Sequence, residues 1–194
     1  GKTVCMINHL IRSALLSKLN NPRFAYIAPT FKQAKSIAWD YMKQFTAKIP
    51  HTKFNETELR VDLPNGARIT LLGSESPDGL RGIYLDGCVI DEYANVNSKL
   101  FPEIIRPALS DRKGYCVFIG TPMGMNNNFY ELYQHAQGAE DWFNYKAKAS
   151  DTKIVDNDEL VKAKEVMGEK KYMQEFECDW IANIEGAVYG DVIA

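Results

Sequence analysis

The chain has 194 residues, 45% of them hydrophobic, which is the length and apolar content of one ordinary globular domain, with no room for a second complete one. Its formal net charge of -2, with 25% charged residues, excludes a broadly basic protein that grips nucleic acid statically, so any such grip must be local or transient. There is no run of 18 apolar residues and no basic-then-apolar leader, which predicts a soluble intracellular protein.

From the amino end, Val4, Ile7, Leu10, Ile11, Ala14 and Leu15 recur at three-and-four spacing and predict an amphipathic helix over residues 4–19, ended by Asn20-Asn21-Pro22. Phe24 to Ala28 reads as a short buried strand stopped by Pro29, after which Thr30 can cap a helix reaching about Ile49. Leu59, Val61 and Leu63 alternate on one side of Pro64-Asn65-Gly66, and Ala67, Ile69 and Leu71 on the other, the pattern of a hairpin with an Asn-Gly turn. Cys88 to Ile90 and Tyr115 to Ile119 read as two further strands with a helix over Pro102 to Leu109 between them. A helix over 126–135, a strand over Trp142 to Ala149, and a helix capped by Asn157 and closed by Gly168 complete the chain, with Lys162, Lys164, Lys170 and Lys171 on a solvated face. Buried strands alternating with helices predict an α/β sandwich around a mostly parallel central sheet with an added antiparallel hairpin.

The four cysteines, Cys5, Cys88, Cys116 and Cys178, lack the paired spacing of a zinc site and are expected to be reduced core residues. His9, His51 and His135 are scattered, with nothing near them that suggests catalysis or ligation.

Three short motifs carry chemistry. Gly1-Lys2-Thr3 ahead of a helix is the tail of a phosphate-binding loop, GxxxxGK[ST], in which helix amides and a lysine meet the phosphates and a hydroxyl holds magnesium. Cys88-Val89-Ile90-Asp91-Glu92 delivers two carboxylates at the end of a strand, the first suited to magnesium and the second to polarising a water. Asp86-Gly87 leaves that strand only three apolar residues. Phe118-Ile119-Gly120-Thr121-Pro122 ends another strand in a hydroxyl that could face a γ phosphate. Singly, each is a common tripeptide or turn; in this order they are the parts of a P-loop NTPase of the catalytic-glutamate type, a RecA-like three-layer sandwich. Gly1 stands at position 1 with no initiator methionine, so the natural chain is expected to begin earlier and the fold to lack its first strand here, with little ATPase activity from these residues alone.

Together with those motifs, GSESPDGLRG at 73–82, VIDEYA at 89–94, GTPMG at 120–124, FYELY at 129–133, YMQEFECDW at 172–180 and EGAVYG at 185–190 resemble the large terminase subunits of tailed bacteriophages. The resemblance implies an ATPase domain over 1–183 and a linker over 184–194 towards a C-terminal nuclease domain. Carried over residue by residue, it implies that Gly1, Lys2 and Thr3 bind ATP, that Thr3 and Asp91 hold Mg2+, and that Glu92 activates water. Thr121 falls in the coupling motif, where the family usually has Asn at the place of Met123. Arg81, ten positions ahead of Asp91, corresponds to an arginine that can reach a neighbouring subunit's nucleotide; a surface or hairpin-bracing arginine is the alternative.

The implied function is an ATP-driven motor moving double-stranded DNA into a procapsid in the host cytoplasm. Its partners would be a small terminase subunit, the portal protein and further copies in a ring. Two other readings share these motifs: a superfamily 2 helicase-like DNA-dependent ATPase, and a non-catalytic docking fragment. Lys32, Lys35 and Arg68 are basic positions that nothing in the sequence distinguishes as DNA contacts.

Overall fold

The computed structural model describes residues 1–181, so the EGAVYG segment and the expected boundary at 183–184 lie outside the described residues. The chain divides into two compact units, Gly1–Gly120 and Thr121–Ala194. Among the described residues no helix is long and apolar enough to cross a membrane.

The first unit opens with helix α1 (Lys2–Leu16), two residues ahead of the sequence expectation and three short of its end. Its stripe Ile7, Leu10, Ile11 and Ala14 is buried, and each fully buried Ile or Leu contributes about 2 kcal/mol of transfer free energy. Strand β1 (Arg23–Ala28) follows. Thr30 then forms a capping box with Gln33 and starts helix α2 (Phe31–Ala34). The helical path runs on through a π-helical turn (Lys35–Trp39) into helix α3 (Asp40–Thr46). Strands β2 (Lys53–Asn55), β3 (Arg60–Asp62) and β4 (Arg68–Gly73) come next, and β3 with β4 is the expected hairpin across Asn65-Gly66. A 3-10 turn (Pro77–Leu80) leads to strand β5 (Gly87–Ile90). A second 3-10 turn (Tyr93–Asn95), a π-helical turn (Phe101–Ile105) and helix α4 (Arg106–Ser110) connect it to strand β6 (Tyr115–Phe118).

These six strands form one sheet in the order β2-β3-β4-β1-β5-β6. The block β4-β1-β5-β6 is parallel, while β2 and β3 run antiparallel at one side. The mostly parallel α/β sheet is therefore as the sequence implies, and β2 is an addition: a three-residue strand is too short and polar to show periodicity.

Gly87 explains the shortened apolar run ahead of Asp91. It is itself a buried strand residue, and a Cβ there would stand 2.4 Å from the Tyr115 ring on the paired position of β6. Asp86, just before it, is buried as an anchor. Its Oδ2 accepts the Arg23 amide at 2.7 Å, and Oδ1 lies 2.7 Å from Arg112 Nε as an ion pair without aligned hydrogen-bond geometry. Cys88 and Cys116, opposite each other on β5 and β6, have their sulfurs 3.4 Å apart, whereas Cys5 is exposed on α1 and so is not the core residue expected of it.

The second unit contains helices α5 (Asn128–Gly138), α6 (Ala149–Thr152), α7 (Asn157–Met167) and α8 (Glu169–Phe176). Asn127 caps α5 through its side chain. Asp156, not Asn157, caps α7, its carboxylate accepting the Asp158 amide at 2.8 Å; both are good capping residues, and the one preceding the apolar register takes the role. Residues 142–148 are not a strand. Their alternation is real but has another cause: Trp142 packs edge-on against His135 and Asn144 bonds the Ala136 carbonyl of α5, while Phe143 and Tyr145 point to solvent. Trp180 is buried against Phe129, Tyr130 and Tyr133 of α5, which gives the FYELY and CDW segments a shared packing role.

Candidate active site

Side-chain alternation along the sheet selects which groups can meet. Phe24, Tyr26 and Ala28 share one face of β1 and pack in a single cluster with Ile7, Leu10, Ile11 and Ala14 of α1. Tyr26 pairs with Val89 of β5. Asp91, two residues past Val89, therefore returns to the α1 face, and its amide extends the ladder by one bond to the Ile27 carbonyl at 2.8 Å.

The first turn of α1 reaches the same point. The Thr3 hydroxyl donates to Asp91 Oδ2 at 2.9 Å, the Tyr26 hydroxyl donates to the same oxygen, and the Glu92 amide donates to Oδ1 at 2.8 Å. Asp91 is only 3% exposed, and a buried carboxylate is tolerated when its lone pairs are met in this way. Tyr26 is fully buried; burial first, then its hydrogen bond to Asp91 and that group's charge, hold its phenol far above the usual tyrosine range, so it is a neutral donor. Gly1 occupies the N-cap position of α1 and offers no side chain to bond the first amides, which leaves the positive end of a 15-residue helix beside the carboxylate. Lys2, the first helical residue, is exposed there.

Glu92 turns the chain off the strand in a left-handed conformation, φ 49° and ψ 48°. For a residue with a Cβ that costs about 1–2 kcal/mol, and such strain concentrates at functional positions. The turn is held by the Asn95 amide on the Glu92 carbonyl at 2.8 Å and by the Tyr93 amide on the Ile119 carbonyl at 3.1 Å. Tyr93 and Phe101 pack edge-on against Phe118 of β6, both at 4.7 Å, which buttresses the loop from below.

The structure thus brings Thr3, Asp91 and the Glu92 backbone together, with Gly1 and Lys2 immediately ahead of Thr3 at the same helix start. Arg81 is elsewhere in the first unit. It follows the 3-10 turn, exposed, with its Nε 2.8 Å from Asp78 and its Nη2 3.6 Å from Glu103, and both acids raise its pKa, Asp78 the more. These three residues, with Asn97 and Lys99, line a cavity of about 300 Å³. Thr121 is half-buried and begins the second unit. Arg68 is paired to Asp62 at 2.6 Å. Tyr26 is the site residue that sequence reasoning passes over: an aromatic in a buried strand reads as core, and only the pairing of β1 with β5 shows that its hydroxyl lies under Asp91. Among the described residues no group of three or more His, Cys, Asp or Glu side chains could hold a metal ion.

A family model described as "Terminase large subunit, T4likevirus-type, N-terminal" matches residues 1–190. The large terminase subunits of Thermus phage G20c and Thermus virus P23-45 are each 30% identical over 126 residues, covering 55% of this chain and 26% of those proteins. The chain therefore spans about a quarter of the length of these curated relatives. Among solved structures, the large terminase ATPase domain of Thermus phage P74-26 superposes with a TM-score of 0.76 at 21% identity, covering 93% of this chain and 84% of that one. A large terminase from another thermophilic bacteriophage, solved in complex with ADP, superposes with a TM-score of 0.77 at 16% identity, covering 93% of this chain and 46% of that one. At these identities the superpositions establish the α/β fold, while the family match establishes kinship: the chain belongs to the large terminase subunits of T4-like type and corresponds to their N-terminal part.

Proposed function

We propose that this chain is the ATP-hydrolysing part of a DNA-packaging motor, a P-loop NTPase of the catalytic-glutamate type that couples ATP hydrolysis to movement of double-stranded DNA into a procapsid. One observation carries the reading: Thr3 of the GKT turn and Asp91 of the strand-end acid pair, 88 positions apart in sequence, are hydrogen-bonded at the C-terminal rim of a parallel sheet. Ligands of open α/β sheets bind at that rim. Complexes of the second thermophilic-phage terminase with ADP and with ATP-γ-S support a nucleotide as the ligand.

In this reading Gly1 and Lys2 receive the phosphates at the positive end of α1, where helix amides and an ammonium group meet negative charge. Thr3 and Asp91 fit Mg2+, since a hydroxyl and a carboxylate are the hard oxygen donors it prefers and the phosphates and waters complete its shell. When bound, Mg2+ neutralises charge developing on the phosphate oxygens. Glu92 orients a water and takes its proton as the water attacks the γ phosphorus, with ADP leaving in line. Thr121 senses the lost phosphate, and Arg81 reaches a neighbouring subunit's nucleotide in a ring of copies on the portal, with a small terminase subunit as a further partner. The ion pairs of Arg81 to Asp78 and Glu103 are exposed and of the kind that contributes little, so a neighbour can capture the guanidinium at small cost.

The test is Glu92→Gln in the full-length protein. Nucleotide should still bind while ATP hydrolysis falls by at least about a hundredfold, the scale of a general base. Turnover at the wild-type rate would overturn the assignment. Mixing Arg81→Ala subunits with wild type should depress assembled motors beyond the fraction of mutant added; a loss proportional to that fraction would place Arg81 in its own subunit's site or outside catalysis.

A further inference from the structure

Tyr26 is a fully buried residue in the middle of β1, and its ring alone would satisfy the packing against α1. Its hydroxyl does something the core does not need: it donates to Asp91 Oδ2, the oxygen that also accepts the Thr3 hydroxyl. The other carboxylate oxygen is held by the Glu92 amide at 2.8 Å. Asp91 therefore has donors on both oxygens from three separate elements, and its carboxylate plane is fixed.

We propose that Tyr26 is a positioning residue for the metal-nucleotide site, setting the orientation of Asp91 so that the Thr3 hydroxyl donates its hydrogen bond to the carboxylate and turns its lone pairs outward. The inference rests on the reading of Thr3 and Asp91 as the Mg2+ ligands. Without the phenol, Oδ2 keeps a single donor, a threonine hydroxyl on the first turn of α1 that rotates about its own bond. The carboxylate then keeps one donor on each oxygen, the Glu92 amide and a rotatable hydroxyl, so its orientation is held more loosely and metal binding must supply part of the ordering. A hydrogen bond to a charged group is worth enough that its loss changes an equilibrium by about tenfold or more.

The experiment compares Tyr26→Phe and Asp91→Asn with wild type in the full-length protein, using Mn2+ as the probe. Three quantities are read: affinity for a fluorescent ATP analogue in EDTA, the Mn2+ concentration that half-saturates the nucleotide complex by electron paramagnetic resonance, and kcat against KM for ATP. Tyr26→Phe should leave metal-free nucleotide affinity unchanged, raise the half-saturating Mn2+ about tenfold, and lower kcat more than it raises KM. In the Asp91→Asn background it should add nothing to the metal requirement, because its action passes through that carboxylate. Should Tyr26→Phe fold poorly, 3-fluorotyrosine placed at position 26 keeps the question open to measurement: substoichiometric Mn2+ with ATP should broaden its fluorine resonance. An unbroadened resonance overturns the proposal. If Asp91→Asn raises the metal requirement and Tyr26→Phe does not, the Tyr26 assignment alone fails. If neither substitution moves it, the metal site itself is misassigned.

Discussion

Replacing Asp86 with alanine should loosen the sheet from its end opposite the candidate site. The Asp86 side chain is 3% exposed and makes two contacts: the Arg23 amide at 2.7 Å and the Arg112 guanidinium at 2.7 Å. Deleting one partner of a buried ion pair costs about 3–5 kcal/mol, most of it from the charge left behind. Here Arg112 is a quarter exposed, keeps the Asn20 carbonyl at 3.0 Å and rests over the Tyr84 ring at 5.1 Å, and its contact to Asp86 lacks hydrogen-bond alignment, so about 1–2 kcal/mol is the fitting share. The orphaned Arg23 amide adds about 1–2 kcal/mol, for a total of about 3 kcal/mol. Amide hydrogen exchange of the intact protein measures this region by region. Peptides spanning β1, β5 and β6 should exchange on the order of a hundredfold faster, while α5 and α7 keep their protection. Asp86→Asn, which retains an acceptor for the Arg23 amide, should fall between alanine and wild type. Acceleration below about threefold in β1 and β5 would refute the reasoning, since it would mean the carboxylate anchors nothing.

Trp180→Ala should cost about 3–5 kcal/mol and Trp180→Phe clearly less, because the indole fills a nest of three rings on α5. Exchange protection should fall in α5 with β1 and β5 unaffected, and equal losses for the two variants would argue against ring packing as the cause. Glu56 offers a pH test. Its carboxyl is held below the usual carboxylate range, first by the Trp39 indole N–H at 2.7 Å and then by Lys43. A lowered folded-state pKa means the contribution is fully present above the unfolded value of 4.5 and is lost as pH falls through the lower, folded one. Trp39 emission should therefore change only below pH 4.5 in the folded protein, and Glu56→Gln should remove that step. A transition that survives the substitution would assign it to another acid.

Much of the fold was legible because its signals are local. Apolar spacing along α1, the Asn-Gly turn between β3 and β4, and Thr30 as a helix cap each depend on neighbours a few residues apart. What was not legible depends on distant partners. The alternation of residues 142–148 is a true two-sided pattern, but α5 and not a sheet lies on its inner side. Gly87 looked like a break in β5 because the Tyr115 ring that fills its missing side chain belongs to a different strand, beyond the whole β5-β6 connection. The candidate site divides along the same line. Gly1, Lys2, Thr3, Asp91 and Glu92 are residue types that announce phosphate and metal chemistry wherever a helix start and a strand end supply the setting. Tyr26 announces nothing until β1 and β5 are paired.

That pairing makes the Asp91 carboxylate a product of tertiary packing and not of its own strand. Its three donors come from α1, from β1 and from the left-handed turn at Glu92: the turn is its own neighbour, Tyr26 arrives through the β1-β5 pairing, and Thr3 arrives only when α1 lies down on that face. A buried negative charge is costly, and the sheet carries it only because all three donors are delivered together. The same stringency explains why the acid pair sits one residue beyond the strand. Asp91, still in register, inherits the face of Val89 and the helix that covers it. Glu92, released from the ladder, takes the strained conformation that a regular strand forbids. Two adjacent acids are thereby given different surroundings: Asp91 is bonded on both carboxylate oxygens and almost dry, while Glu92 is half-buried in a left-handed turn.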